Sequence, residues 1–327
     1  MKLSIIIVNF NTPELVLQCL YSIGNSTTVQ YEIIIVDNDS KDNSKDIILN
    51  EFPNILWIQM GYNSGFSRAN NAGIKASSGE YILLLNSDTI VNTPAIDVAI
   101  FNMDTDKSIV ASSVQLLNAD MSFQNAGNYF VRGGLNILLT LPVINEIFRT
   151  IGKLIGIRKP SVTTSDTVNY VDWISGAFML VRKSVIKQSG FMDEDFFLFA
   201  EEIEWCGRLR RFGKIAVYPN VSVIHLEGGT TNKMHKSIPK SYYEYWTPKG
   251  FQLMVSNLLR IRKQYGVLWM MMIYIFYLIE IPVLFLAFLF SGKYTFLFLK
   301  DYIANVLSLS SLMPKIILNK PGFYKVI

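Results

Sequence analysis

Cysteine and histidine are scarce in this chain, two of each among 327 residues. Cys19 and Cys206 lie far apart, each inside an expected helix, which excludes a disulfide framework and points to a reducing compartment. A glycine-rich fingerprint after the first strand is also missing. The turn there reads Asn9-Phe10-Asn11-Thr12-Pro13, which excludes a plain dinucleotide-binding oxidoreductase. Charge of one sign is lacking too: 30 basic against 26 acidic residues leave a net charge of +4, too small to argue for nucleic acid, and no nucleic-acid partner is expected. The apolar stretch behind Lys2 is short and has no small-residue cleavage site, so it reads as a first strand and not as a signal peptide. Hydrophobic side chains are abundant. They make up 50% of the chain, and this calls for a search for membrane segments.

Two early apolar runs stop on acids. Ile33–Val36 ends in Asp37, and Tyr81–Leu85 ends in Asn86-Ser87-Asp88. A run without polar alternation reads as a strand buried on both faces of a parallel sheet, and ligands of such sheets bind beyond the carboxyl ends of the strands. Either acid alone would as readily begin a loop or cap a helix; two at one edge favour a ligand site. Around them the pattern predicts strands over 3–8, 32–36, 55–59 and 81–85, and helices over 15–23, 42–50 and 67–75. Thr12 is expected to cap the first helix and Pro13 to open it. Strands alternating with helices at this pitch predict a parallel sheet with right-handed crossovers.

The texture changes between Gly127 and Val168, where an apolar stretch, Leu135–Ile157, precedes Arg158–Ser165, which reads as a mobile loop. Val171–Val181 reads as a turn and a strand. Ala200–Arg211 reads as a helix with acids first and bases last, as its dipole prefers. Gly266–Phe290 is long enough to cross a bilayer, but Glu280 would cost about 2.5 kcal/mol or more at its centre. Tyr294–Leu312 is also apolar and holds Lys300 and Asp301, which suits a re-entrant pair or helices lying in the interface. A membrane partner is expected, with spanning and lying flat both open. Arg260, Arg262 and Lys263 point that end at the cytoplasmic face.

A carboxylate placed like Asp88 suits a hard divalent cation, Mg²⁺ or Mn²⁺, whose shell a ligand's phosphates complete. Asp37 on the neighbouring strand end suits a nucleobase or ribose. Glu201, Glu202 and Glu204 equally suit a helix N-terminus, and Glu204 with Arg208 an i,i+4 pair. Arg68 can neutralise phosphate. Gly65 and Gly73 serve a turn and packing as well as they serve binding. His225, at the end of the run Val221–Ile224, is open to a metal role or a structural one. The Trp173 ring can stack on a sugar or pack in the core.

Several segments, in consistent order, resemble one family. Leu3–Asn11, Val36–Ser40, Asn63–Gly73 and Leu84–Asp88 are similar to motifs of the inverting family 2 glycosyltransferases, in their bacterial rhamnosyltransferase-like branch. Asp172–Ala177, Gly190–Glu194, Phe197–Leu209 and His225 with Gly228-Gly229 resemble that branch's second half. The resemblance covers about residues 3 to 230. It implies an α/β GT-A fold, a Rossmann-like mixed sheet between helices, followed by a C-terminal apolar helical membrane-associated segment. The domains would be 1–245, with a donor-binding half of about 1–120 and an acceptor and catalytic half of about 121–245, then 246–327 at the membrane.

The function it implies is transfer of a hexose, foremost rhamnose from dTDP-rhamnose, to a lipid-linked saccharide at the cytoplasmic face of the cell membrane. Alternatives are a UDP-linked galactosyl, glucosyl or galactofuranosyl donor, or an inactive sugar-nucleotide-binding subunit. Asn9, Asp37, Asn63, Gly65, Arg68, Asn71 and Asn86 would meet the donor; Asp88 and His225 the metal; Asp172, Trp173 and Gly176 the acceptor. The metal motif reads Asn86-Ser87-Asp88, without its first acid. The catalytic pair reads Glu201-Glu202, which puts Glu202 at the base position with one extra methylene, and Glu201, Asp193 and Glu194 behind it as substitutes.

Overall fold

The computed structural model describes residues 1–129, 138, 141, 144–154, 161–162, 167–226, 245–291 and 295–327. The loop expected over 158–165 lies outside the described residues apart from Ser161–Val162, and so does Gly228-Gly229. The chain divides into two compact units.

Unit 1 comprises Met1–Phe130, Pro160–Asp193 and Trp205–Pro239. Its first half is β1 (Leu3–Asn9), α1 (Pro13–Ser26), β2 (Tyr31–Asp37), α2 (Ser44–Glu51), β3 (Leu56–Gln59), α3 (Gly65–Ala76) and β4 (Tyr81–Leu85). These four strands lie in the order β4-β1-β2-β3, all parallel, as the alternation predicts. Ile5, Ile6, Ile7, Ile34 and Ile35 are wholly buried, because a sheet with apolar neighbours on both faces leaves no exposed side for a polar residue.

The second half adds β5 (Thr89–Ile90), α4 (Ala95–Thr105), β6 (Ile109–Leu117), β7 (Phe123–Gln124) and β8 (Gly127–Asn128). After α5 (Ile144–Leu154), which belongs to unit 2, come β9 (Ser161–Val162), β10 (Asn169–Val171), β11 (Trp173–Ile174), β12 (Phe178–Arg182), α6 (Lys183–Ser189), α7 (Glu201–Leu209) and β13 (Lys214–His225). Here the all-parallel expectation fails: β12 runs antiparallel to both β4 and β6, while β6 and β13 are parallel. Among the described residues the result is a ten-stranded mixed sheet, ordered β10-β13-β6-β12-β4-β1-β2-β3 with β5 and β7 on its flank, and a three-stranded sheet, β11-β8-β9. Ser161–Val162, expected in a mobile loop, pairs with Gly127–Asn128 of β8.

Thr12 sits at the cap position of α1, but its hydroxyl donates to Asn9 Oδ1 (3.2 Å) and caps no amide. A buried acceptor nearby takes the hydroxyl that the local pattern assigned to the helix. Gly73 packs α3 against β1 so closely that an added Cβ would lie 2.5 Å from Ile6 Cγ2, whereas Gly24 in α1 has nothing within 4 Å. Gly73→Ala is therefore expected to destabilise by about 1–3 kcal/mol through overpacking. Gly24→Ala should stabilise by about 0.5–1 kcal/mol through helix propensity. Thermal or denaturant melts of the two variants check the opposite signs.

Unit 2 comprises Val131–Lys159, Glu194–Glu204 and Lys240–Ile327. It holds α5, the first residues of α7, then α8 (Pro248–Tyr265), α9 (Val267–Ser291) and α10 (Phe296–Ile317). Thr247 and Thr295 cap α8 and α10 by accepting from the amides of Gly250 (3.0 Å) and Phe298 (3.3 Å). Met254, Leu258, Ile261, Ile273, Tyr277, Tyr302 and Val306 form a core of their own. Near the C-terminus Tyr324 bridges in parallel to Phe196.

The basic cluster expected to face the cytoplasm is engaged within this unit. Arg260 is buried and donates to Gln264 Oε1 (3.0 Å), Arg262 Nε donates to the Ile317 carbonyl (2.9 Å), and Lys263 pairs with Asp195 (2.6 Å). Two helical stretches, Val267–Phe290 and Phe296–Ile317, are long and apolar enough to cross a membrane, and Leu268, Phe290, Phe296 and Leu307 stand exposed on them.

Candidate active site

At the carboxyl edge of β1, β2 and β3, the side chain of Asp37 is buried and held by three donors. Asn9 Nδ2 reaches Oδ1 at 2.8 Å, while the Ser40 amide (3.0 Å) and Gln59 Nε2 (2.6 Å) reach Oδ2. A carboxylate accepts about four hydrogen bonds, so among the described residues one position, on Oδ1, is left for a ligand. Asn9 is itself saturated: its second amide hydrogen goes to Ser40 Oγ (3.0 Å), and its oxygen receives Thr12. The residue expected to meet the donor thus positions Asp37. Next to it Asn38 Oδ1 accepts from the Ser64 amide (2.7 Å), and Asn63 Oδ1 accepts from Asn38 Nδ2 (3.0 Å) and the Gly65 amide (3.2 Å). These bonds fix the entry to α3, where Gly65 takes φ +74°, a conformation glycine adopts without strain.

Of the other α3 candidates, Arg68 is half-buried in the first turns. Asn71 is buried, with its amide oxygen receiving the Met192 amide (3.0 Å) and its nitrogen donating to the Met192 carbonyl (2.9 Å). Asn71 therefore ties α3 to the segment after α6.

Asp88 and His225 come together through a pairing that local patterns do not reveal. β5, directly after Asp88, runs antiparallel to the end of β13, with Thr89 opposite His225. His225 Nε2 lies 3.2 Å from Asp88 Oδ1 and 3.1 Å from Asn86 Nδ2, and its Nδ1 lies 2.8 Å from Gln124 Oε1. Both Asp88 and His225 are buried.

A chain of hydrogen bonds decides which ring nitrogen carries the proton. Asp120 only accepts, so the Ser122 hydroxyl donates to it (2.5 Å); Asn118 Nδ2 then donates to Ser122 Oγ (2.9 Å), and Gln124 Nε2 donates to Asn118 Oδ1 (2.9 Å). That turns Gln124 Oε1 toward the ring, so Nδ1 holds a hydrogen, and in the neutral form of the ring the Nε2 lone pair is the one that lies by Asn86 Nδ2 and Asp88. With the ring neutral, ¹⁵N shifts are expected to show the Nδ1–H tautomer for His225. Gln124→Leu should move the proton to Nε2, where Asp88 Oδ1 accepts it. Gln124 was missed in the sequence because nothing local links it to a histidine 101 residues away.

The acceptor candidates lie after β10. Asp172 pairs with Arg210 (2.8 Å), Trp173 is half-buried and pairs through its backbone with Asn128, and a Cβ on Gly176 would come within 3.1 Å of Phe66. In the sequence Arg210 reads only as a basic helix end. The ion pair is non-local and left no trace in the sequence.

In unit 2 the start of α7 carries the catalytic candidates. Phe199 and Ala200 both take the left-handed conformation, with φ of 71° and 65°, which costs non-glycine residues about 1–3 kcal/mol each and recurs where a site must be held in one geometry. α8 braces this segment: Ser256 Oγ donates to the Leu198 carbonyl (2.7 Å), Lys263 to Asp195 (2.6 Å), and Gln264 Nε2 to the Ile203 carbonyl (3.3 Å). Glu201 is buried, and among the described residues its Oε2 has no hydrogen-bond partner. Burial, and then the neighbouring Glu202, push its pKa well above the ordinary carboxylate value, which favours its neutral form. Glu202 is still reached by solvent but has protein on most sides. Desolvation raises its pKa to about 7, with the Arg260 guanidinium opposing that rise. Of the substitutes, Asp193 is half-buried and Glu194 exposed.

Residues 4–162 match the model of a family described as Glycosyl transferase family 2. The chain is 31% identical over 215 residues to the low-salt glycan biosynthesis hexosyltransferase Agl10 of Haloferax volcanii, covering 64% of this chain and 62% of that protein. It is 29% identical over 196 residues to the poly-beta-1,6-N-acetyl-D-glucosamine synthase of Staphylococcus aureus, covering 58% and 42%. The chain thus spans less than two thirds of the length of these curated relatives. Among solved structures it resembles GalNAc-T7 with UDP, GalNAc and Mn²⁺, at a TM-score of 0.55 and 15% identity over 80% of this chain and 48% of that one, a likeness of fold.

Proposed function

We propose that the chain is a family 2 glycosyltransferase of GT-A fold, on the match of residues 4–162 to that family's model, and that it acts as an inverting hexosyltransferase. It takes a nucleotide-diphosphate sugar, foremost dTDP-rhamnose, and a lipid-linked saccharide acceptor of surface polysaccharide synthesis. It works at the cytoplasmic face of the membrane, with residues 1–245 as the transferase domain and 246–327 as the membrane-associated region. The relatives' names support a hexose and glycan synthesis, and the motif resemblance supports rhamnose.

The observation that carries the proposal is Asp88 Oδ1 facing the Nε2 lone pair of His225 at 3.2 Å. Nε2 also meets Asn86 Nδ2 at 3.1 Å, and the imidazole nitrogen and the carboxylate oxygen side by side are two basic atoms that one cation can share. Among the described residues no cluster of three or more acid, histidine or cysteine ligands exists. The pair therefore fits a divalent ion that takes the rest of its shell from a diphosphate and water, and a carboxylate with an imidazole suits Mn²⁺ as well as Mg²⁺. Such an ion, when bound, neutralises charge developing on the departing diphosphate.

The chain's own groups do the remaining work. Asp37 offers its last acceptor site to the base or ribose, and Arg68 faces phosphate. Glu202 removes the proton of the acceptor hydroxyl as that oxygen attacks the anomeric carbon and the bond to the diphosphate breaks, which inverts the centre.

A panel of dTDP- and UDP-sugars with Mn²⁺ or Mg²⁺ and a membrane-extract acceptor tests the reading. Transfer from dTDP-rhamnose supports it. Transfer from a UDP-hexose replaces the sugar, and nucleotide binding without turnover on any donor favours an inactive binding subunit.

A further inference from the structure

α5, the helix Ile144–Leu154, sorts its side chains by face. Ile147, Phe148, Ile151 and Leu154 recur at helical spacing within a stripe about 120° wide, while Asn145, Glu146, Arg149 and Thr150 fall on the opposite side. Beyond Ile144, which is buried, the stripe is largely exposed: Ile147 is 54% exposed, Phe148 36%, Ile151 46% and Leu154 81%. Helices this short are marginal in water by themselves, so α5 depends on what it is attached to.

The start of α5 is anchored within unit 2. Its first amide, Ile144 N, donates to Glu280 Oε1 at 3.2 Å, and Glu280 is wholly buried halfway along α9. A carboxylate at a helix N-terminus is favoured by the helix dipole, so the one acid in this apolar helix serves as an anchor for another helix. The same bond restricts how α9 can meet a bilayer. In a perpendicular span Glu280 would lie about 20 Å in, near the bilayer centre. That would carry the polar face of α5, with exposed Glu146 and Arg149, into hydrocarbon, where charged groups cost about 2.5 kcal/mol or more each.

We propose that α5 is an interfacial helix that lies in the plane of a phospholipid bilayer with its Ile147, Phe148, Ile151 and Leu154 stripe at the acyl boundary, locked to α9 by Glu280. The occupant is argued from continuity. The same unit exposes Leu268 (83%), Phe290 (84%) and Phe296 (67%) on α9 and α10, and an apolar stripe with a charged opposite face is the pattern of helices that lie on membranes. This inference rests on the membrane-association reading above and specifies it as in-plane attachment.

The test uses the purified full chain, freed of detergent, with Ile151→Cys or Arg149→Cys carrying an environment-sensitive fluorophore and phosphatidylglycerol–phosphatidylcholine vesicles as the probe. Cys19 and Cys206 are buried, which favours labelling at the introduced thiol. The label at 151 is expected to shift blue and to be quenched by shallow spin-labelled lipids, while the label at 149 stays in water. Phe148→Gln with Ile151→Gln should weaken vesicle binding about tenfold or more with little change in melting temperature, since neither side chain belongs to the core formed by the described residues of this unit. If wild type floats with vesicles and the 151 label does not respond, this inference falls and membrane association stands. If wild type does not bind vesicles, both fall. A 151 label buried without lipid, in a concentration-dependent way, would assign the stripe to a second copy. Equal depth for both labels would overturn the in-plane geometry.

Discussion

Glu202→Gln is expected to lower sugar transfer by about 10²–10⁴-fold, the range for loss of a positioned general base, with donor binding retained. The exchange keeps the side chain's length and removes only its ability to take a proton. The base must be ionised to act, and desolvation raises the Glu202 pKa to about 7. Wild-type rate should therefore climb with pH through about 7 and then level, and the variant should lose that limb. Arg260, whose charge favours the ionised carboxylate, sets where the limb falls, so Arg260→Gln should move it to higher pH. Stability follows the same linkage. A carboxyl whose folded pKa lies above its ordinary 4.5 binds more protons folded than unfolded, so stability declines as pH rises from about 4.5 to 7, and Glu202→Gln should flatten that decline. Initial-rate pH profiles and melts across that window measure both effects. Equal turnover in wild type and variant would move the base to Glu201 or Asp193.

Asp88→Ala is expected to abolish metal-dependent turnover, by on the order of 10³-fold if one carboxylate's share of charge stabilisation is lost. The fold should survive, since β5 still pairs with β13 through its backbone and Gln124 still holds the His225 ring. Activity unchanged across a metal titration would remove Asp88 from the site. The effect should exceed that of an ordinary ligand deletion, because the motif Asn86-Ser87-Asp88 offers one acid where a second could compensate. His225→Gln should behave similarly but more mildly, because an amide keeps a neutral donor atom without the imidazole's basicity.

Removing everything after Lys263 looks from the sequence like a clean way to release the protein from membranes. The structure gives a different expectation. Met254, Leu258 and Ile261 of α8 share a core with Met270, Ile273, Tyr277 and Tyr302, and α8 also braces the segment that presents Glu201 and Glu202. The truncated chain should lose that core, and its solubility would then report unfolding as much as detachment. Substitutions on the exposed stripe of α5 separate the two effects.

The sequence by itself determined what depends on neighbours along the chain. Apolar runs marked β1, β2 and β4 to within a residue or two, since burial on both faces favours apolar side chains at successive positions. Helical spacing with Thr12-Pro13 marked α1, and the carboxyl edge where Asp37 and Asp88 emerge followed from strand direction alone. Only the tertiary structure decided the rest. The antiparallel insertion of β12 and the pairing of β5 with β13 join residues 68 (Leu180 with Ser112) to 136 (His225 with Thr89) positions apart, and no local periodicity records a partner at that distance. That pairing brings His225 to Asp88, and the turn at Asn118–Ser122 then fixes the ring's proton through Gln124. Glu202 was legible as a residue, but its pKa was not, because desolvation is a property of what surrounds a group and not of the group. Glu280 shows the same limit: as a letter in an apolar run it was a cost, and in three dimensions it became the acceptor at the start of another helix.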